Sequence, residues 1–211
     1  MQFPSKLIED AVMAFARMPG IGKKTALRLV MHLLQSEKEN TQQFAEALQR
    51  MREEIKFCST CHNVSDEELC SVCSNPRRDH SVICVVENFR DILAIEQTRH
   101  YHGVYHVLEG LISPMDGIGP DQLNIDALEE RVKKEGTKEL IMALNPTLDG
   151  DTTIFYLSKR FADYDVHITT IARGIAFGGE LEFVDEITLA RSIQARLPFE
   201  QYLHKNNGKS E

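Results

Sequence analysis

The sequence predicts a multi-part α + α/β chain. It opens with two helices joined by a tight hairpin, continues through a small four-cysteine metal loop into a mainly parallel α/β sheet, and closes with a C-terminal helical/strand segment. Three observations carry this prediction. Apolar residues recur at helical spacing on both sides of Pro19-Gly20, two CxxC pairs stand eight residues apart, and from residue 81 onward β-branched runs alternate with amphipathic stretches.

The first helix is read from Leu7, Ile8, Val12, Phe15 and Ala16, and Pro19-Gly20 stops it before a second helix begins near Lys23. That second helix presents Ala26, Leu27, Val30, Leu33 and Leu34 on one side. A third places Phe44, Leu48, Met51 and Ile55 on one face. Residues 1–56 therefore form a helical region, 57–76 a cysteine-rich loop ending at Asn75-Pro76, and 81–176 the sheet. The strands of the sheet are VICVVE, GVYHVL, ELIMALN and VHITTIA; FRDILAIEQT, NIDALEERVKKE and TIFYLSKRFADY are the helices between them. Residues 177–200 form the C-terminal segment, and 201–211 a polar tail expected to be disordered.

With 211 residues, 42% of them hydrophobic and 27% charged, the chain can bury a globular core. It has neither a signal-peptide pattern nor an apolar run of membrane-spanning length, so a cytoplasmic location without membrane contact is expected. A net charge of -8 argues at first against nucleic acid, but its distribution does not. Residues 1–35 carry Lys6, Arg17, Lys23, Lys24 and Arg28 against Glu9 and Asp10, so this end is +3 and the remainder -11.

The hairpin reads Met18-Pro19-Gly20-Ile21-Gly22-Lys23-Lys24-Thr25. Gly20 and Gly22 let backbone N–H groups approach a phosphate, the following helix adds its N-terminal partial charge, and Lys23, Lys24 and Arg28 neutralise backbone charge without reading bases. The segment resembles the helix-hairpin-helix motif of non-specific DNA-binding proteins. A Walker A loop is excluded, because position 17 is Arg where Gly is needed and position 24 is Lys where Ser or Thr is needed.

Cys58, Cys61, Cys70 and Cys73 can turn four thiolates toward one ion and close a tetrahedral zinc shell with no open position, which makes the site structural. The loop is too short for a core of its own, so the metal must supply much of its folding free energy. His62 is an alternative donor beside a shell that the cysteines already complete, and Cys84, inside VICVVE, reads as a buried residue.

Glu87 ends the first strand run, and Asp149-Gly150-Asp151 follows the third. In a parallel sheet both groups fall at the carboxyl ends of strands, where ligands bind, and three carboxylates there suit Mg2+. This arrangement is similar to the Toprim domain of topoisomerases, primases and related nucleases.

The series of helix-hairpin-helix, four-cysteine zinc site and Toprim sheet resembles the RecR family over essentially the whole chain. Further matches are Cys73-Ser-Asn-Pro-Arg-Arg78, Ser113-Pro-Met-Asp-Gly-Ile-Gly-Pro120, Ile171-Ala-Arg-Gly174 and Gly178-Gly-Glu-Leu-Glu182. The resemblance implies a bacterial, nucleoid-associated protein that assembles into ring-shaped tetramers around DNA. It further implies action with RecO and RecF to load RecA onto gapped DNA coated with single-strand-binding protein. By the same resemblance Lys23 and Arg28 are DNA contacts, the four cysteines hold one zinc ion, and Glu87 is the Toprim glutamate. Family members often carry Glu-Gly-Glu where this chain has Asp149-Gly150-Asp151, which leaves open whether the acidic cluster takes Mg2+ or the basic residues of RecO. Leu181-Glu-Phe-Val-Asp185-Glu186 looks like the family's Walker B-type stretch, but without a Walker A partner no ATP hydrolysis is expected.

The reading is thus a non-enzymatic recombination mediator. Its rival is a Mg2+-dependent Toprim nuclease, or a primase- or topoisomerase-like enzyme, working through Glu87, Asp149 and Asp151. A zinc-bearing adaptor with no DNA role is a third option, and the basic hairpin stands against it.

Overall fold

Alternating strand and helix patterns leave few topologies open, because a parallel strand pair needs a crossover that packs back on the sheet. The computed structural model describes residues 3–175, 178–196 and 198. The polar tail 201–211 lies outside the described residues. The chain divides into two compact units, residues 1–56 and 57–211.

The first unit is helical: α1 (Lys6–Ala16), α2 (Lys23–Gln35) and α3 (Lys38–Glu54). Val12 of α1 meets Ala26 and Val30 of α2, with Ile8, Phe15 and Leu27 packed around them. Small Ala26, fully buried, lets the two helices approach closely. The predicted apolar face of α3 exists, yet its Phe44, Leu48 and Met51 stay 41 to 55% exposed. Its described aromatic contact is a stack of Phe44 on Phe15, with ring centroids 6.4 Å apart.

The second unit begins with a two-stranded hairpin, β1 (Lys56–Phe57) with β2 (Val64–Ser65). The main sheet follows as β3 (Asp79–Val86), β4 (Gly103–Val107), β5 (Glu139–Ala143) and β6 (His167–Thr170), in the order β4-β3-β5-β6 and parallel throughout. Helices α4 (Phe89–Thr98), α5 (Ile125–Glu135) and α6 (Leu148–Arg160) make the crossovers, and α7 (Glu186–Gln194) lies near the C-terminus. Ile83, Val85, Val104, Leu108, Leu128, Leu140, Met142 and Leu157 are buried without residual exposure and form the core.

Local chemistry sets the element ends. Asn88 and Asp91 form a reciprocal capping box at the start of α4. The Thr147 hydroxyl caps α6 by accepting from the Gly150 N–H at 3.1 Å. This cap starts α6 earlier than the run TIFYLSKRFADY predicts, so Asp149 and Asp151 sit in its first turn and not in a loop. In the C-terminal segment the described residues include no strand. The Walker B-like stretch forms a 3-10 turn at Leu181–Phe183, and Asp185 caps α7 by accepting from the Thr188 N–H at 2.9 Å.

Glu129 of α5 ties α5 to α6 and the turn beyond it. Its carboxylate accepts from Lys133 (2.6 Å), Tyr164 (2.5 Å) and Arg160 (2.7 Å), and these partners, Lys133 foremost, hold its pKa down at about 2. A carboxyl whose pKa is depressed on folding adds stability that is present above the unfolded value of about 4.3 and is lost as pH falls through the folded one. Glu129→Gln should therefore lower Tm at pH 6, and the gap to the unaltered protein should close between pH 4.5 and 2. A gap that stays constant over that range would contradict the linkage.

Candidate zinc centre and nucleic-acid interface

The two CxxC segments fold into tight turns because each first cysteine offers its own groups to the residues after it. The His62 N–H donates to Cys58 O at 3.0 Å, the Ser74 N–H to Cys70 O at 3.0 Å and the Cys73 N–H to Cys70 Sγ at 3.5 Å. His62 takes a φ of 61°, a left-handed turn that swings the chain back after Cys61. The result brings the Sγ atoms of Cys58, Cys61, Cys70 and Cys73 within 4.8 Å of one another. Cys61 and Cys70 Sγ lie 3.6 Å apart. A tetrahedral zinc with Zn–S bonds of about 2.3 Å needs sulfur–sulfur edges of roughly 3.8 Å, so the spacing fits the ion.

Electrostatics point the same way. Four thiolates in one buried pocket repel one another unless a dication sits among them. His62 stands outside the shell and packs edge-on against His106, with ring centroids 5.4 Å apart. Cys84 is buried in β3, and burial pushes its thiol up to about 12. The finger also covers a sheet edge: the Val107 N–H of edge strand β4 donates to Cys61 O at 2.8 Å. Every residue of β4 is buried.

In the helical unit, Met18-Pro19-Gly20-Ile21 closes a turn in which the Ile21 N–H donates to Met18 O at 3.1 Å and Gly20 has a φ of 76°. Proline second and a left-handed glycine third are the demands of a type II turn. A Cβ at Gly20 or Gly22 would meet nothing within 4 Å, so both glycines present bare backbone to the outside. The first bond into α2 runs from the Ala26 N–H to Gly22 O at 2.9 Å, which leaves the earlier amides at the open helix end. Lys23, Lys24 and Arg28 are all exposed, and α2 has no acidic residue in its first turn. Among the described residues none of these three cations has a carboxylate partner, whereas Lys6 is paired with Asp10 at 3.2 Å and Glu9 at 3.7 Å. The uncompensated lysines and arginine of α1 and α2 are thus gathered beside the hairpin.

The acidic edge is arranged differently from the trio expected from sequence. Glu87 follows β3 and accepts from Asn145 Nδ2 at 2.9 Å. It lines a cavity of about 420 Å³ with His62, Asn88, Arg90 and Glu109. Asp151 is ion-paired with Arg173 at 2.6 Å and faces Arg191 of α7 at 3.7 Å. Gly150 between the aspartates is dictated by packing, because a Cβ there would fall 1.9 Å from Asn145 O. Among the described residues the four cysteines are the group of three or more His, Cys, Asp or Glu side chains whose ligand atoms all lie within 4.8 Å; Glu87, Asp149 and Asp151 do not form another. Sequence reasoning overlooked Arg173, Arg191, Asn145 and Glu109. Arg173 stood within Ile171-Ala-Arg-Gly174, but its pairing spans 22 residues and carries no local signal.

A helix-hairpin-helix, a four-cysteine finger and a parallel Toprim-type sheet in one chain define a zinc-bearing protein of DNA metabolism. Family models match this division: RecR helix-hairpin-helix over residues 8–52, the RecR four-cysteine zinc finger domain over 55–75, Toprim domain over 81–172 and RecR C-terminal over 174–196. The recombination protein RecR of Cytophaga hutchinsonii is 56% identical over 201 residues, covering 95% of this chain and 98% of the relative. That of Flavobacterium johnsoniae is 56% identical over 207 residues, covering 98% and 100%, and that of Phocaeicola vulgatus 54% identical over 198, covering 94% and 97%. The chain belongs to the RecR family of recombination proteins. Its cluster of four cysteines and its zinc-finger match support one structural zinc. No helix among the described residues is long and apolar enough to cross a membrane.

Proposed function

We propose that this protein is a non-enzymatic recombination mediator that holds DNA by its backbone through the hairpin, closes as a ring, and acts with RecO and RecF to load RecA onto gapped DNA. The observation that carries the DNA part is the gathering of Lys23, Lys24 and Arg28, without carboxylate partners among the described residues, beside two bare glycines and an open helix end. That constellation offers cations and amide donors, which suits phosphate contacts independent of sequence. The partners and the ring rest on the family resemblance.

The non-enzymatic part is favoured by Asp151, whose carboxylate is engaged by Arg173 and faced by Arg191. A Mg2+ ion at the Toprim edge would have to displace these guanidinium groups before Asp151 could serve as a ligand. Glu87, bonded to a neutral amide and lining an open cavity, is better placed to receive a basic partner residue. A denaturing gel of plasmid and single-stranded DNA incubated with the protein in Mg2+ or Mn2+, beside Glu87→Ala, tests this. Strands should stay intact with both proteins, while RecO affinity should fall for the variant. Cleavage that vanishes with Glu87→Ala would make the acidic edge an active site.

A further inference from the structure

We propose that the end of the sheet where β3 and β4 begin is a second phosphate-binding surface, built from Arg77, Arg99, His80, His100 and His102. Residues 57–211 carry a net charge of -10, yet the stretch from Gln97 to Leu108 contains no carboxylate and includes Arg99, His100 and His102. Parallel strands place the loop before β3 and the loop before β4 at the same end of the sheet. The two loops are pinned together there. The Asp79 N–H donates to His102 O at 2.9 Å, and the Arg78 guanidinium donates to Tyr101 O at 3.1 Å and Gly103 O at 3.3 Å.

Of the carboxylates beside the patch, Glu96 is neutralised by Arg78, while Asp79 is exposed and keeps its charge, turned onto Ser81. Glu96 accepts two bonds from Arg78, at 2.9 and 2.5 Å, and Asp79 accepts from the Ser81 N–H and hydroxyl at 2.9 and 2.7 Å. Arg77 and Arg99 are exposed and have no carboxylate partner among the described residues, in contrast to Arg78 and Arg160. Arg99 also holds the left-handed C-cap of α4, with a φ of 57°. Glycine or asparagine is the usual occupant of such a position, and an arginine there is strained. The helix dipole explains one cation at this end of α4. It does not explain Arg77 and His80 on the neighbouring loop, nor two more imidazoles beside Arg99.

The chemistry of the patch selects its occupant. No large exposed apolar residue falls within 77–80 or 99–103, so the patch lacks the apolar anchor of a protein interface. Two guanidinium groups and three imidazoles supply what a run of phosphates accepts. The occupant is a nucleic-acid backbone. This inference rests on the DNA-binding reading above and adds a contact on the body of the molecule that the hairpin does not provide.

The test is the affinity of the full-length protein for a fluorescent DNA oligonucleotide across a salt series, with Arg77→Ala/Arg99→Asn beside Lys23→Ala/Arg28→Ala. Asparagine is chosen at 99 because it tolerates the left-handed backbone. The first variant should retain its zinc and its Tm, weaken binding several-fold at low salt, and lower the salt slope by up to about two units. His80→Gln/His100→Gln/His102→Gln should weaken binding in the same direction. If the hairpin variant loses affinity while Arg77→Ala/Arg99→Asn and the histidine variant bind with unchanged affinity and slope, the second surface is overturned and the hairpin reading stands. If the unaltered protein does not bind the oligonucleotide, both readings fall. If Arg77→Ala/Arg99→Asn loses an acidic protein partner but not DNA, the patch is a protein interface and the proposal is wrong.

Discussion

Replacing Cys70 with Ser is expected to empty the zinc site, unfold residues 57–76 and loosen one edge of the sheet. The finger has two short strands of two residues each and little buried apolar surface of its own beyond the cysteines and Val72, with Phe57 and Leu69 largely exposed, so little else in it offsets the entropy of ordering the loop. Structural zinc binding to four-ligand peptides is worth on the order of 10–16 kcal/mol at neutral pH, and that energy is folding energy when the apo loop has no other structure. Three thiolates and a hydroxyl hold the ion far less well than four thiolates do. The damage should not stop at the loop, because Cys61 O accepts the Val107 N–H of β4. With the finger undone, β4 becomes an open sheet edge, the type of surface that pairs with other chains. Metal content per chain, amide exchange of residues 58–73 and 103–107, and Tm check this together. Cys84→Ala is the control: its thiol lies in β3 outside the four-sulfur group, so that variant should keep one zinc per chain. Full zinc content and unchanged unfolding in Cys70→Ser would refute the closed site.

The zinc ligands were legible in sequence because metal geometry is encoded in short spacings: two residues between paired thiols allow one turn to aim both at one ion. The strands were legible for a related reason, since the apolar stretches within VICVVE and ELIMALN are buried or half-buried on both faces and read as continuous runs. What failed to show was anything set by contacts across the chain. Pro146 and Gly150 look like loop residues, so the start of α6 was misplaced. In fact Thr147 caps the helix, and Gly150 is there because Asn145 O leaves no room for a Cβ. Three acidic residues at strand ends left a shared cation or a basic partner open, and the side chains that engage Asp151 come from positions 173 and 191, which no local pattern links to it. Periodicity likewise found the apolar face of α3 without revealing that most of it stays open. Short-range rules thus recovered the elements and the metal shell, while the partners of the carboxylates required the fold.

Replacing Lys23 and Arg28 with Ala is expected to weaken DNA binding roughly tenfold at about 50 mM salt, equally on unrelated sequences, and to lower the salt slope by up to about two units. Each phosphate neutralised on duplex DNA contributes about 0.9 to that slope, because binding releases a condensed counterion. Two contacts therefore account for about 1.8 units. Over the fourfold range from 50 to 200 mM salt this is roughly a tenfold difference in salt sensitivity, large enough to separate from error. Stability should not confound the result: both side chains are exposed, neither has a carboxylate partner among the described residues, and surface substitutions of this sort usually move stability by less than about 0.5 kcal/mol. Gly20→Ala supplies an independent arm. The methyl group meets nothing in the chain, but a φ of 76° strains an alanine and puts bulk where the bare backbone faces outward. It should reduce affinity with little change in slope, because it removes no charge. A lysine–arginine variant with unaltered affinity and slope would place the DNA contact elsewhere on the molecule. A loss that depended strongly on base sequence would mean that the hairpin reads base edges and does more than hold phosphates.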